Sequence, residues 1–141
     1  MISYTVQHVL ILRLLMCYNF ESVRSLHNLL FLVSAEKMEQ QDLGFYDFVR
    51  TGTGAYSRSV QRIIDDLRKE KLIAEEGLRL TDKGRRIYAT LGASLRPFNS
   101  FWNLCVDVVE RHGGNPEELN RRVFYNLTFR RVKVGERVFF P

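Results

Sequence analysis

The sequence predicts a mainly α protein with a small β-hairpin, an α+β fold carrying extra helices at both ends. Three observations within residues 56–91 lead there. A helix with a polar outer face carries Val60, Ile63, Ile64 and Leu67 at i, i+3, i+4 and i+7 spacing, and Ser57 stands where a cap belongs. Two short apolar runs, Leu72-Ile73-Ala74 and Leu78-Arg79-Leu80, flank Glu75-Glu76-Gly77, the pattern of a tight hairpin. Thr81-Asp82-Lys83-Gly84 then opens a second helix that runs to about Leu91, with Gly92 as its stop.

Helix, hairpin and helix in that order form the sequence pattern of a winged helix-turn-helix, which names a docking geometry against nucleic acid. The flanking elements follow the same logic. Residues 5–18 carry Val6, Val9, Leu10, Leu14 and Cys17 at helical spacing, with Ile11, Leu12 and Leu15 added. A helix apolar nearly all round is expected in a core or a dimer. Ser22 caps a helix bearing Val23, Leu26, Leu29, Leu30 and Val33, which runs to about Glu36. Residues 38–44 read as a polar connector, residues 44–49 as a strand or an extended segment, and residues 51–55 as a flexible or tight turn. Beyond Gly92, residues 94–111 form a helix with Pro97 near its start, and Gly113-Gly114 ends it. Asn115-Pro116-Glu117-Glu118 places asparagine at a cap, proline at the first helical position and glutamate at the third, and that helix runs to about Leu127. The tail, residues 128–140, is β-branched and aromatic, with Gly135-Glu136 as a two-residue turn. The chain therefore divides into a winged-helix domain with its N-terminal helix, residues 1–92, and a helical extension with a β-tail, residues 93–141, packed on the same core or at a dimer interface.

A chain of 141 residues is long enough for one domain with a sizeable core, and 45% hydrophobic with 26% charged residues is ordinary for a globular protein. Net charge is +5 and the pI about 9.5, which favours anionic partners. The cations are mostly arginine, Lys37, Lys69, Lys71, Lys83 and Lys133 being the lysines. Arginine forks match phosphates and guanine edges, and they match carboxylates inside a protein equally well. Cys17 and Cys105 lie far apart in apolar surroundings, so two buried thiols are expected rather than a disulfide, outside a hyperthermophile. The apolar start lacks a basic flank and is interrupted by Arg13, and no run approaches a membrane span. The expectation is a cytoplasmic protein without a membrane partner.

Three passages carry a likeness. They are Leu26-His27-Asn28-Leu29-Leu30-Phe31-Leu32; Phe45-Tyr46-Asp47-Phe48 leading to Gly54-Ala55-Tyr56-Ser57; and residues 67–84, with Lys71-Leu72-Ile73 and Leu80-Thr81-Asp82-Lys83-Gly84. On these the span of residues 26–91, about half the chain, resembles winged-helix proteins of the YwgA-like and SocA-like (Panacea) kind. Such proteins often read Tyr-Gly-Pro-Tyr-Ser where this chain has Ala55 in place of the proline. The resemblance implies a regulator or a toxin–antitoxin-type module, and it brings no catalytic residues.

The leading expectation is a regulator that reads double-stranded DNA with the helix of residues 57–70. Ser57, Arg58, Ser59, Gln61 and Arg62, at its N-terminal half, would reach base edges or phosphates. Arg50, Arg79, Lys83, Arg85 and Arg86 would clamp phosphates. The bland alternative is a solvated face with intrahelical pairs, Arg62 with Asp66 and Asp65 with Lys69. Cations at Lys83, Arg85 and Arg86 oppose the helix dipole, so they are explained by phosphate or by ion pairs with Glu75 and Glu76. That acidic tip is a poor approach to phosphate. It favours the rival expectation, an antitoxin-like or assembly module that binds protein and not DNA.

Arg121, Arg122, Arg130, Arg131, Lys133 and Arg137 in the tail interleave with Phe124, Tyr125, Phe129, Phe139 and Phe140. The aromatics could stack on unpaired bases, and core or subunit interface is the more usual use. A homodimer through the N-terminal helix and the helix of residues 98–109 is expected, on Phe98, Phe101, Trp102, Cys105, Val108 and Val109; a single enlarged core would use the same residues. His8, His27 and His112 have no ligand partner at metal spacing, and Gly52-Thr53-Gly54 lacks the residues of a phosphate loop. No catalytic residue, cofactor or metal is expected.

Overall fold

The computed structural model describes residues 3–36, 43–112 and 115–140; the rest of the polar connector and Gly113-Gly114 lie outside the described residues. The chain is mainly helical with one two-stranded antiparallel hairpin. The helices are α1 (Val6–Cys17), α2 (Val23–Ala35), α3 (Arg58–Lys69), α4 (Asp82–Leu91), α5 (Asn99–His112), α6 (Pro116–Tyr125) and α7 (Leu127–Arg131). The strands β1 (Phe48–Thr51) and β2 (Gly54–Ser57) lie between α2 and α3.

The caps legible in the sequence are made. Ser22, Ser57, Thr81 and Asn115 each accept from an amide in the first turn of the helix they open. α1 adds a capping box in which Thr5 and His8 bond reciprocally. Its side chains Leu10, Ile11, Leu12 and Leu14 have no exposed surface, because α3, α4 and the segment after α4 close over it. On α5, Phe101, Cys105, Val108 and Val109 are buried in the same cluster. Of the residues offered for a subunit interface, Phe98 and Trp102 are half-buried and pack against that cluster. Arg13, the charge that interrupts α1, lies 4.4 Å from the Trp102 ring centre, where the cation meets an aromatic face. Cys17 is exposed, unlike the buried thiol expected; burial pushes the Cys105 thiol up to about 12.

Four boundaries differ from the sequence reading. α4 ends at Leu91 with Gly92 as its cap, as expected, but the right-handed backbone of Gly92 carries the chain into a 3-10 helix, Gly92–Phe98, that holds Pro97, so α5 starts later than expected. Residues 51–55 make the tight turn, one of the two expectations for them, but it carries an additional strand, β2, paired in the register Phe48↔Ser57 to Thr51↔Gly54. The expected hairpin at residues 72–80 is a single bridge, Ile73↔Leu80, with Gly77 at φ 75. Arg68 fastens that loop to α3 by donating to the carbonyls of Ala74 and Gly77. The start of the tail, read as β, is the helix α7, and the turn lies at Lys133–Glu136, closed by the Glu136 amide on the Lys133 carbonyl at 3.0 Å. The tail pairs with β1 through Arg50 to Glu136, Gly135 to Arg50 and Val138 to Phe48. Phe129 and Phe140 of the tail enter the core around Phe31, while Phe139 and Tyr125 stay exposed. No helix among the described residues is long and apolar enough to cross a membrane.

Candidate nucleic-acid interface

The N-terminal end of α3 is fixed by groups far away in sequence. Ser57 has no exposed surface: its hydroxyl oxygen accepts from the Val60 amide at 3.0 Å, and its proton goes to Asp47 Oδ1 at 2.5 Å. Asp47 Oδ2 accepts from the Ser59 amide at 2.9 Å and the Ser59 hydroxyl at 2.7 Å. A carboxylate therefore already occupies the positive end of the helix. Burial alone would raise the Asp47 pKa, but the hydrogen bonds from Ser57 and Ser59 and from its own amide outweigh burial and hold it below its ordinary value.

His27 of α2 supports the same end. Its Nδ1 accepts from the Ser57 amide at 3.0 Å, so the ring proton sits on Nε2, which donates to Gln61 Oε1 at 3.1 Å. Gln61 in turn donates to Asp65 Oδ1 at 3.0 Å. The imidazole stacks on Tyr56, ring centres 4.9 Å apart and planes at 13°. Further along α3, Asp66 Oδ2 lies 3.0 Å from His8 Nε2.

His27 makes acid sensitivity predictable. Burial, the largest influence, drives its pKa below the ordinary 6.5 against the opposing pull of Gln61 and Asp47. The unfolded chain therefore takes up this proton first as pH falls. Its contribution to stability is fully present above 6.5 and is lost as the pH drops from there toward the folded value. His112 is depressed too, by burial and by Arg122 and Arg111, so it titrates in the same direction. A His27→Gln variant, compared with wild type by urea midpoints between about pH 7.5 and pH 5, is expected to be about 1 kcal/mol less stable at the upper pH and less acid-sensitive. Equal acid sensitivity in the two proteins would remove His27 as the cause.

The structure divides the sequence-predicted interface. The Arg50 guanidinium is engaged within the chain, where it donates to the carbonyls of Phe129, Arg130 and Val132 and ties the end of α7 to β1. Ser57 is a buried cap, Ser59 is held by Asp47, and Gln61 is bonded on both sides. Lys83 Nζ donates to the Glu70 carbonyl at the end of α3. Arg58, Arg62, Arg79, Arg85 and Arg86 are exposed, and none of their side chains has a hydrogen-bond or ion-pair partner among the described residues. The intrahelical pairs of the alternative reading, Arg62 with Asp66 and Asp65 with Lys69, are not made; Asp66 faces His8 and Asp65 is bonded by Gln61. Glu75 and Glu76 pair with none of the cations of α4. In the tail, Arg121 and Arg122 both close on Glu118, and Arg137 donates to the Tyr46 carbonyl.

Two features escaped the sequence reading. Lys69 and Lys71 join Arg79 in a groove of about 630 Å³ between α3 and the 72–80 loop, with Asp65 and Glu75 on its wall. Their shared exposure follows from the fold and not from spacing. Asp47 stands ten residues before the cap it grips, beyond the reach of any local pattern. Among the described residues no group of three His, Cys, Asp or Glu side chains is placed to hold a metal ion. Comparison with protein-family models, with curated proteins and with solved structures finds no match for this chain.

Proposed function

We propose that the chain is a winged-helix DNA-binding protein, a transcriptional regulator that reads double-stranded DNA with the outer face of α3. In this reading α3 lies in the major groove, the 72–80 loop is a short wing, and α4 flanks it. One observation carries the proposal. Arg58 and Arg62 stand one turn apart, exposed and without a side-chain partner among the described residues, while Asp47, Asp65 and Asp66 accept hydrogen bonds from other groups. Exposed cations that make no ion pair with the neighbouring carboxylates are placed to meet a polyanion. Arg79, Arg85 and Arg86 extend the set, and Lys69 and Lys71 add cations that line the groove beside the wing.

The test is a salt titration of binding to random duplex. Each phosphate contact contributes about −0.9 to the slope of log K against log salt, so an Arg58→Ala/Arg62→Ala variant should bind about tenfold more weakly with a slope shallower by about 1.8. Its thermal stability should stay near wild type, since both positions are solvated. A second reading has its own observation: the Asp47 carboxylate at the helix end and the exposed Glu75-Glu76 tip suit a basic protein partner. That reading requires wild-type chain to show no salt-dependent affinity for duplex, an outcome that ends the DNA proposal.

A further inference from the structure

A pocket of about 240 Å³ opens beside the N-terminal half of α3, where α2 meets the β1–β2 hairpin. Val23, Ala55 and the Tyr56 ring give it apolar walls; Arg24, His27 and Gln61 give it polar ones. We propose that this pocket binds a small aromatic carboxylate. The inference goes beyond DNA binding and does not depend on it.

Three observations select that chemistry. The volume lies below the range of about 300–1,000 Å³ usual for drug-sized ligands, which leaves room for one ring with a short substituent. The Tyr56 ring stacks on His27, lines the pocket and is 41% exposed, so aromatic surface is left for an occupant to pack against. Arg24 is exposed, lines the pocket, and makes no hydrogen bond or ion pair among the described residues. A single guanidinium fork matches a single carboxylate. Glu21, one turn before Arg24 in sequence, makes no ion pair with it. Thr51 and Thr53 line the hairpin wall, the Thr51 hydroxyl being held by the Gly54 carbonyl at 2.7 Å. A neutral ring would leave Arg24 unanswered, and an aliphatic acid would leave the Tyr56 ring unanswered.

The experiment uses the full chain without DNA and three probes: benzoate, cyclohexanecarboxylate and benzyl alcohol. Amide resonances are followed by NMR during titration. Benzoate should shift Thr53, Tyr56 and Gln61 saturably. Cyclohexanecarboxylate, with the charge but no aromatic face, should bind about 3- to 10-fold more weakly. Benzyl alcohol, with the ring but no charge, should bind at least about tenfold more weakly. Arg24→Gln should weaken benzoate by about 10- to 100-fold, and Tyr56→Leu by about 3- to 10-fold. Arg24 is exposed and its side chain is unbonded among the described residues, so Arg24→Gln leaves the fold intact, and Tyr56→Leu, which removes the stack on His27, is read beside its urea midpoint. The proposal is overturned if benzoate gives no saturable shift of those amides up to about 10 mM, tenfold above a millimolar Kd. It is overturned equally if Arg24→Gln binds benzoate as wild type does.

Discussion

Phe31→Ala is expected to remove about 3–5 kcal/mol from the unfolding free energy, the range for truncating a fully buried phenylalanine. Phe31 has no exposed surface and stands where four parts of the chain meet. Its ring lies edge-on to Phe48 of β1 at 5.3 Å and to Phe129 of α7 at 5.5 Å, and tilted against Phe140 of the tail at 5.3 Å. Burial sets most of the cost, and the aromatic pairs add to it. The loss should spread outward. Without Phe31, the tail keeps its backbone bonds to β1 and the Arg50 bonds to α7, but Phe140 and Phe129 face a cavity. Domains of this kind hold about 5–15 kcal/mol in total, so the variant should be marginal or unfolded at 37 °C. Urea denaturation measures it, with limited proteolysis of the tail as a second readout. A loss under about 1 kcal/mol would mean that the four segments are held by something other than this cluster.

The same cluster shows why part of the molecule was legible in sequence and part was not. Caps and amphipathic stripes are local: Ser57 with Val60, Ile63, Ile64 and Leu67 needs no other segment to be recognised, and Asn115 with Pro116 likewise. The tail aromatics are not local. Phe129 and Phe140 become core because Phe31 and Phe48 wait for them, and nothing within residues 128–140 records that. Arginine roles were the least legible. Arg50, Arg58 and Arg62 look alike in sequence, yet Arg50 ends on three carbonyls and the other two on solvent. What separates them is that the fold brings carbonyls of α7 and of Val132 just beyond it to Arg50 and, among the described residues, none to the other two. Gln61 was drawn away from the candidate surface in the same manner, by a histidine 34 residues earlier.

Gly84→Ala is expected to destabilise the chain by about 2 kcal/mol, even though alanine favours a helix over glycine by about 1 kcal/mol. The sign follows from geometry. A Cβ on Gly84 would stand 2.2 Å from the Leu72 carbonyl oxygen and 3.1 Å from its carbon. That carbonyl cannot swing aside: its oxygen accepts from the Thr81 amide at 3.0 Å, and the Leu72 amide is bonded to the Leu67 carbonyl at 2.8 Å. Relief requires α4 to move away from the 72–80 loop, which strains the Ile73↔Leu80 bridge and the Thr81 cap, whose oxygen accepts from Gly84 itself. Overpacking against backbone of this kind falls at the upper end of the usual 1–3 kcal/mol, so the clash exceeds the gain in helix propensity. Gly52→Ala is the control, since a Cβ there meets nothing within 4 Å. Chemical denaturation should leave Gly52→Ala near wild type and shift Gly84→Ala to a lower midpoint; a Gly84→Ala chain as stable as wild type would contradict the close approach. The consequence extends to the proposed interface. Arg79 sits on the loop and Arg85 and Arg86 on α4, so displacing one element from the other changes the spacing of the cations offered to DNA. If those cations act together, Gly84→Ala should weaken duplex binding although it removes no charge, whereas Gly52→Ala should leave binding unchanged.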